Sequence, residues 1–367
     1  MSRWRIVVHA LDRTGPPVLA LTWLRWLRRE HPGDAADVVA IRGGVMQADF
    51  EELADVVVLV APNAALPHGA ERTRLFGPFR SSLPDVDATL LVSVAAGPAL
   101  AALPAGPVAT WCVEAGSDLH WVETEPELTQ RTDQWLAGSQ VSANEIESRL
   151  SGCRVHLVPE FVDPARPGGP ERRAYARHVL SGGTAGLVVV AAGIATWRKA
   201  PDLFVEVALA HSRAGRSPAC FAWIGGDSDE LHQAVSIEAD RTGSPVRFVP
   251  AVADIDTFLS AADVLLHTAR LDSFPLVCLH AATAGTPVVS FRGTGGPDEM
   301  FGPTLRGADF PDVVGLAHAI DELSDPTARA EAATQQRERV SARWVTEVGA
   351  PVLLQHLRET AGEGATR

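Results

Sequence analysis

Lysine is almost absent from this chain. Lys199 is the single one among 32 basic residues, so the rest are arginine. Only four cysteines occur in 367 residues, Cys112, Cys153, Cys220 and Cys278. They are scattered, with no Cys-x-x-Cys and three of them in apolar stretches. This favours buried free thiols over a disulfide framework or a metal site. No apolar run approaches the ~20 residues of a membrane span. The apolar run in "MSRWRIVVHALDRTG" is too short and too soon interrupted for a secretory signal, so a cytoplasmic protein is expected. Positive charge is in deficit: the net charge is −13 and the pI about 5.4. That balance argues against a nucleic-acid partner. No G-x-G-x-x-G opens a helix, so a dinucleotide fingerprint is unsupported.

What is present is alternation. "RIVVH" (5–9), "DVVAI" (37–41), "VVVLV" (56–60), "TLLVSV" (89–94), "VATWCV" (108–113) and "WLAGS" (135–139) read as buried strands. Their near-continuous apolar character suits a parallel sheet covered on both faces. "PEFVDPARPGGPERR" (159–173) crowds proline and glycine and reads as a linker. The alternation then restarts with "GLVVVAAG" (186–193), "CFAWIGG" (220–226), "VRFVPAV" (246–252), "DVLLHTA" (263–269) and "PVVSF" (287–291). Apolar residues at helical spacing lie between them. From Pro326 onward only helices are expected. The pattern predicts an α/β chain of two doubly wound, Rossmann-like domains, 1–163 and 164–343, with a terminal helix in 344–367 crossing back to the first.

Ligands of such sheets bind where strand ends lead into helices, and four loops qualify. In "HALDRTGPPVLAL" (9–21), Gly15 lets backbone approach a ligand. In "IATWRKAPDLF" (194–204), after Gly193, Pro201 suits a first helical position and Asp202 a first turn. Arg198 and Lys199 face the positive end of that helix, which makes sense if an anion sits between them. The bland alternative is a pair of solvated charges, since the dipole penalty is only about 0.3–1 kcal/mol per charge. In "ARLDSFPLVCLHAATAGTPVV" (269–289), Asp272 and Ser273 precede a helix begun by Pro275. The N–H groups from Phe274 through Leu276 to Val277 offer a second anion seat. His280 lies eight residues after Asp272. "RGTGGPDEM" (292–300) is a glycine-rich loop with Glu299 beside it.

"VVVAAGIATWRKAPDLFVEVA", "CFAWIGG", "FLSAADVLLHTARLDSFPLVCLHAATAGTPVVSF" and "GTGGPDE" together resemble the C-terminal half of the family 4 glycosyltransferases. "VPEFVD" and "VVHALDRTGPP" resemble the same family. The resemblance implies a GT-B fold, two Rossmann-like domains facing across a cleft, with the acceptor on the N-terminal side and a nucleotide sugar on the C-terminal side. It implies a retaining transfer to a hydroxyl acceptor, with no metal and no cofactor beyond the donor as co-substrate. The family's diphosphate-binding basic pair falls on Arg198 and Lys199. Its two signature glutamates fall on Asp272 and His280, its glycine after the lysine on Ala200, and its His-Glu pair on Val113 and Glu114. On this likeness the catalytic set is Asp272, Arg198, Lys199 and His120. The donor set adds Gly15, Gly193, Val249, Ser273, Phe274, Leu276, Val277 and His280.

Asp272 is expected on the donor sugar's hydroxyls, and His280 either on the ribose or merely packed beside Cys278 and Phe274. A GT-B epimerase or phosphorylase and a non-catalytic GT-B subunit stay open beside the transferase. The acceptor is a saccharide, a secondary metabolite or a lipid-linked compound. "LTWLRWLRREHP" (21–32) carries tryptophans and arginines on one helix. It fits a weak contact with an anionic membrane or a half-buried helix whose arginine stems cover apolar surface.

Overall fold

The computed structural model describes residues 1–61, 76, 79–225 and 230–364. The chain forms two compact units, Met1–Val162 with Thr346–Arg367, and Asp163–Val345. Among the described residues the first unit holds seven strands: β1 (Arg3–Ala10), β2 (Ala35–Arg42), β3 (Val56–Leu59), β4 (Ala88–Val92), β5 (Val108–Cys112), β6 (Gln134–Ala137) and β7 (Val155–Leu157). They pair in parallel in the order β3-β2-β1-β4-β5-β6-β7. Ile6 of β1 sits in register with Val38 and Leu90. All five residues of β4 and of β5 are buried, as continuous apolar strands require when helices cover both faces.

The helix Gly15–Glu30 decides between the two expectations for its tryptophans. Trp23 and Trp26 are both buried in the first unit. The Trp23 indole N–H donates to Ala350 O at 3.4 Å, on the helix Thr346–Gly364. Arg25, Arg28 and Arg29 pair with Asp49, Asp55 and Glu347. The helix is half-buried, with its arginines held by carboxylates. Among the described residues no helix is long and apolar enough to cross a membrane.

The second unit repeats the winding. Its strands among the described residues are β8 (Leu187–Ala192), β9 (Ala219–Ile224), β10 (Val246–Val249), β11 (Val264–His267), β12 (Val288–Arg292) and β13 (Arg306–Asp309). Their parallel order is β10-β9-β8-β11-β12-β13. β7 and β13 escape the sequence pattern because "VHL" is too short for a period and "RGAD" is poor in apolar residues at a sheet edge. The reading of 159–173 as linker overshoots. The helix Pro170–Ser181 already takes the last four of those residues, with Pro170 fitted to a first turn whose N–H groups have no intrahelical partner. All four cysteines are free, and Cys153 alone is only half-buried.

Candidate active site

The winding reverses between β8 and β11, so the loops at their carboxyl ends flank the crevice where an open α/β sheet binds ligands. The loop after β8 starts at Gly193, whose φ of 143° is open to glycine alone among common residues. Its N–H donates to Ile224 O at 3.0 Å and its carbonyl accepts the Trp223 indole N–H at 3.0 Å. The loop ends at Ala200, which caps the helix Pro201–Arg213 with a left-handed backbone (φ 56°, ψ 59°). Ala200 keeps a glycine's conformation where the resemblance expects glycine. The buried Thr268 hydroxyl donates to its carbonyl at 3.1 Å.

The loop after β11 is tied to it. Arg270 N–H donates to Arg198 O at 2.8 Å. The Arg270 guanidinium grips Asp202 with two bonds, 3.0 and 2.5 Å, and donates to Trp197 O at 2.7 Å. Asp272 is fixed by the glycine-rich loop: its N–H donates to Thr294 O at 2.9 Å, and its carbonyl accepts Gly296 N–H at 2.7 Å. A Cβ on Gly296 would stand 2.6 Å from Ser273 O, so this close crossing of two loops requires glycine.

These constraints converge on the Asp272 carboxylate, which is 4% exposed. Lys199 Nζ donates to its Oδ2 in a short bond, and Arg198 Nη1 donates to Oδ1 at 3.2 Å. His267 Nε2 stands 3.3 Å from Oδ2, within ion-pair range but without hydrogen-bond alignment. Burial opposes ionisation of Asp272, yet the charge of Lys199 above all, with that of Arg198, outweighs it and holds the carboxyl far below the usual carboxylate range. Burial likewise pushes His267 down, only partly opposed by Asp272, so its imidazole is neutral at pH 7. Asp272 is thus an anion of the protein itself seated against Arg198 and Lys199. Both oxygens of this carboxylate, the one expected on the donor sugar's hydroxyls, accept from the two cations.

The helix of the third loop runs Leu276–Ala284, with Pro275 as its cap rather than its first residue. Ser273 and Phe274 are buried, and Phe274 packs edge-on against Trp344 at 5.9 Å. Leu276 and Val277 open the helix half-buried. His280 makes a contact that the sequence did not suggest. Its Nδ1 lies 3.0 Å from Asp256 Oδ1, and Asp256 Oδ2 accepts Arg166 N–H at 3.0 Å. Burial opposes the Asp256 charge, but the bonds from His280 and from Arg166 N–H together outweigh it and hold its carboxyl below the ordinary value. An ionised carboxylate only accepts, so the proton between the two groups sits on Nδ1; in the neutral ring that leaves the lone pair on Nε2. Val249 is buried at the end of β10, two strands from β8, where its carbonyl accepts Gly225 N–H at 2.9 Å.

Two candidates belong to the first unit. Gly15 is the first residue of its helix. His120 is exposed, with Nδ1 3.0 Å from Ser117 O and its ring 4.7 Å from that of Trp121. Glu114 accepts from Val113 N–H at 3.0 Å and Val94 N–H at 3.3 Å, and burial raises its carboxyl above the ordinary value. Asp-x-Asp spacings occur at Asp85/Asp87 and Asp254/Asp256; a third, at 227 and 229, lies outside the described residues. Asp87 accepts Arg3 N–H at 2.8 Å, and Asp254 caps a helix through Thr257 N–H at 3.2 Å. Sequence reasoning missed His267, the Arg270–Asp202 pair and Asp256. The one available signal was a lone histidine closing an apolar strand just ahead of Asp272.

Comparison with known proteins matches the fold. Two parallel sheets, each wound with helices, define the GT-B class. Structures of Anabaena Alr3699/HepE, in complex with UDP and glucose or with UDP-glucose, match with a TM-score of 0.80 at 17% and 18% identity. They cover 99% of this chain and 99% or 100% of theirs. Residues 185–325 match the family model described as "Glycosyl transferases group 1". D-inositol 3-phosphate glycosyltransferase of Salinispora arenicola is 29% identical over 185 residues, 45% of this chain and 41% of its own length. The Salinispora tropica protein of the same name is 30% identical over 213 residues, 50% of this chain and 43% of its own. The match thus spans about two fifths of the length of these curated relatives. The fold is that of the GT-B class, and the match to the glycosyl transferases group 1 family model lies within the second unit.

Proposed function

We propose that the chain is a retaining glycosyltransferase that moves a sugar from a nucleotide diphosphate to a hydroxyl acceptor without a metal. The observation that carries this reading is the convergence of Arg198 and Lys199 on Asp272 at the reversal point of the second sheet. Breaking the sugar–phosphate bond leaves negative charge on the diphosphate. A guanidinium has five N–H donors and an ammonium three, so each can serve Asp272 and a phosphate oxygen together. Arg198 is 34% exposed and Lys199 20%, so both cations present a face to solvent. Asp272 then acts as a positioning residue that holds them before the ligand arrives, and preorganised charge is the main source of such catalysis.

The N–H groups of Leu276 and Val277 add partial positive charge. Retention follows if the leaving phosphate oxygen takes the acceptor proton on the face it leaves. The names of the curated relatives favour a phosphorylated cyclitol as acceptor.

Calorimetry with nucleoside diphosphates tests the reading. Arg198→Ala and Lys199→Ala should each lose about 1.5–3 kcal/mol of binding, the scale of a charge-assisted hydrogen bond. Unchanged affinity in both variants returns the pair to a structural role around Asp272.

A further inference from the structure

Seven of the nine tryptophans are buried and Trp121 is half-buried, but Trp197 is 68% exposed, with Ile194 at 55% on the same loop. An indole left in water forgoes a large burial gain, so its exposure needs a reason. The ring is not loose. The Arg270 guanidinium lies 4.8 Å from its centroid and also bonds the Trp197 carbonyl, while Asp202 holds that guanidinium with two bonds. Trp197 is thus a braced aromatic plate, and the next two residues in the chain are Arg198 and Lys199. Cations that seat a phosphate beside a fixed indole match a ligand with an anionic group and a ring. A sugar ring fits such a plate through its apolar C–H face while its hydroxyl rim stays in water.

We infer that Trp197 is a positioning residue on which the sugar ring of the nucleotide sugar stacks. The inference rests on the donor reading above. Rigidity limits the ordering cost of such a contact, because the plate is held before the ligand arrives. Stacking on one face of the sugar fixes which direction its anomeric carbon presents.

The test compares wild type, Trp197→Ala and Trp197→Phe with matched pairs: UDP and UDP-glucose, GDP and GDP-mannose, ADP and ADP-glucose. The pair that wild type binds most tightly is used. Trp197→Ala should weaken the nucleotide sugar roughly 2–13-fold, the scale of one aromatic stacking contact, and leave the diphosphate unchanged within about 1.5-fold. Trp197→Phe should keep most of the affinity. The emission difference between wild type and Trp197→Phe should change on adding the nucleotide sugar and not the diphosphate. Equal weakening of both ligands, or of neither, overturns the inference while diphosphate binding leaves the donor reading standing. If wild type binds none of the pairs, both fall together.

Discussion

Asp272 accepts a hydrogen bond at 3.2 Å from Arg198, 74 residues earlier in the chain, and the same carboxylate holds Lys199. One buried anion thus organises the two cations that open the helix after β8. Leaving a buried charge without its partner costs about 3–5 kcal/mol, less where the partner keeps contact with water. Lys199 and Arg198 do keep that contact, so the expected cost of breaking the cluster lies nearer 2–3 kcal/mol.

A double-mutant cycle checks this. Lys199→Ala and Asp272→Asn should each destabilise the native state, and the double variant should cost less than their sum. The expected coupling is about 1–3 kcal/mol, the range for groups in direct contact. Additive losses in urea unfolding at pH 7 would mean that the two side chains do not act on each other in solution.

The pH dependence has two windows. The His267 imidazole has a folded pKa below its unfolded value, so below about pH 6.5 the unfolded chain takes the proton first and stability falls. Asp272 is also depressed in the fold. Its contribution is present above about pH 4 and is lost as acid protonates the unfolded chain. His9, His211 and His356 are likewise lowered, chiefly by burial, and share the first window. His267→Gln, which has no proton to gain, should flatten the loss between pH 7 and 5 relative to wild type. Parallel slopes would show His267 to be titrating normally.

Much of this architecture was legible because a parallel sheet demands a signature that survives in one sequence. Strands such as "VVVAA" and "ATLLV" are buried on both faces, and their apolar runs announce it. Arg198 and Lys199 were legible because cations sit badly at a helix N-terminus. The answer to that misfit was not: Asp272 reads as a pre-helical residue, and only folding shows that it crosses to the neighbouring loop. Asp202 and Arg270, 68 residues apart, leave no local pattern at all. His280 was read for the ribose or for packing beside Cys278 and Phe274, and its partner Asp256, on the preceding helix, went unnoticed. Side-chain pairing across elements has no sequence period, and this is where the reading fell short.

Ala200 tests the backbone of the loop. A left-handed conformation costs an L-residue about 1–2 kcal/mol. Glycine would be relieved of that, but would lose a buried methyl worth about 0.8 kcal/mol and gain chain entropy when unfolded. Ala200→Gly should therefore change stability by under about 1 kcal/mol, whereas the β-branched Ala200→Val should cost more than about 2 kcal/mol. A tolerated valine in thermal unfolding would mean that the loop does not hold this conformation.

Turnover should survive a strong chelator, because the proposed phosphate site is built from Arg198, Lys199 and helix N–H groups. Loss of activity in EDTA, restored by magnesium or manganese, would assign the diphosphate's charge to a metal instead.

The last prediction concerns His280 and Asp256. With Nδ1–H given to Asp256, His280 offers one lone pair, on Nε2, to a ligand. If that nitrogen meets the ribose, His280→Ala should weaken nucleoside diphosphate binding by about 0.5–1.5 kcal/mol, the value of one neutral hydrogen bond. Substituting the family's glutamate is not a simple gain. Glu at 280 would face Asp256, which now accepts at 3.0 Å, and two carboxylates at that separation cannot both ionise freely. His280→Glu alone should therefore destabilise the fold by about 1–2 kcal/mol, on the order of one pKa unit of repulsion. Adding Asp256→Asn supplies an amide that donates to the new carboxylate, so the double variant should recover that stability. It should also bind the diphosphate at least as tightly as wild type, since a carboxylate can accept from both ribose hydroxyls. Urea unfolding and calorimetry on the three variants separate the two roles. Recovered stability with unchanged affinity throughout would leave His280 as the partner of Asp256 and nothing more.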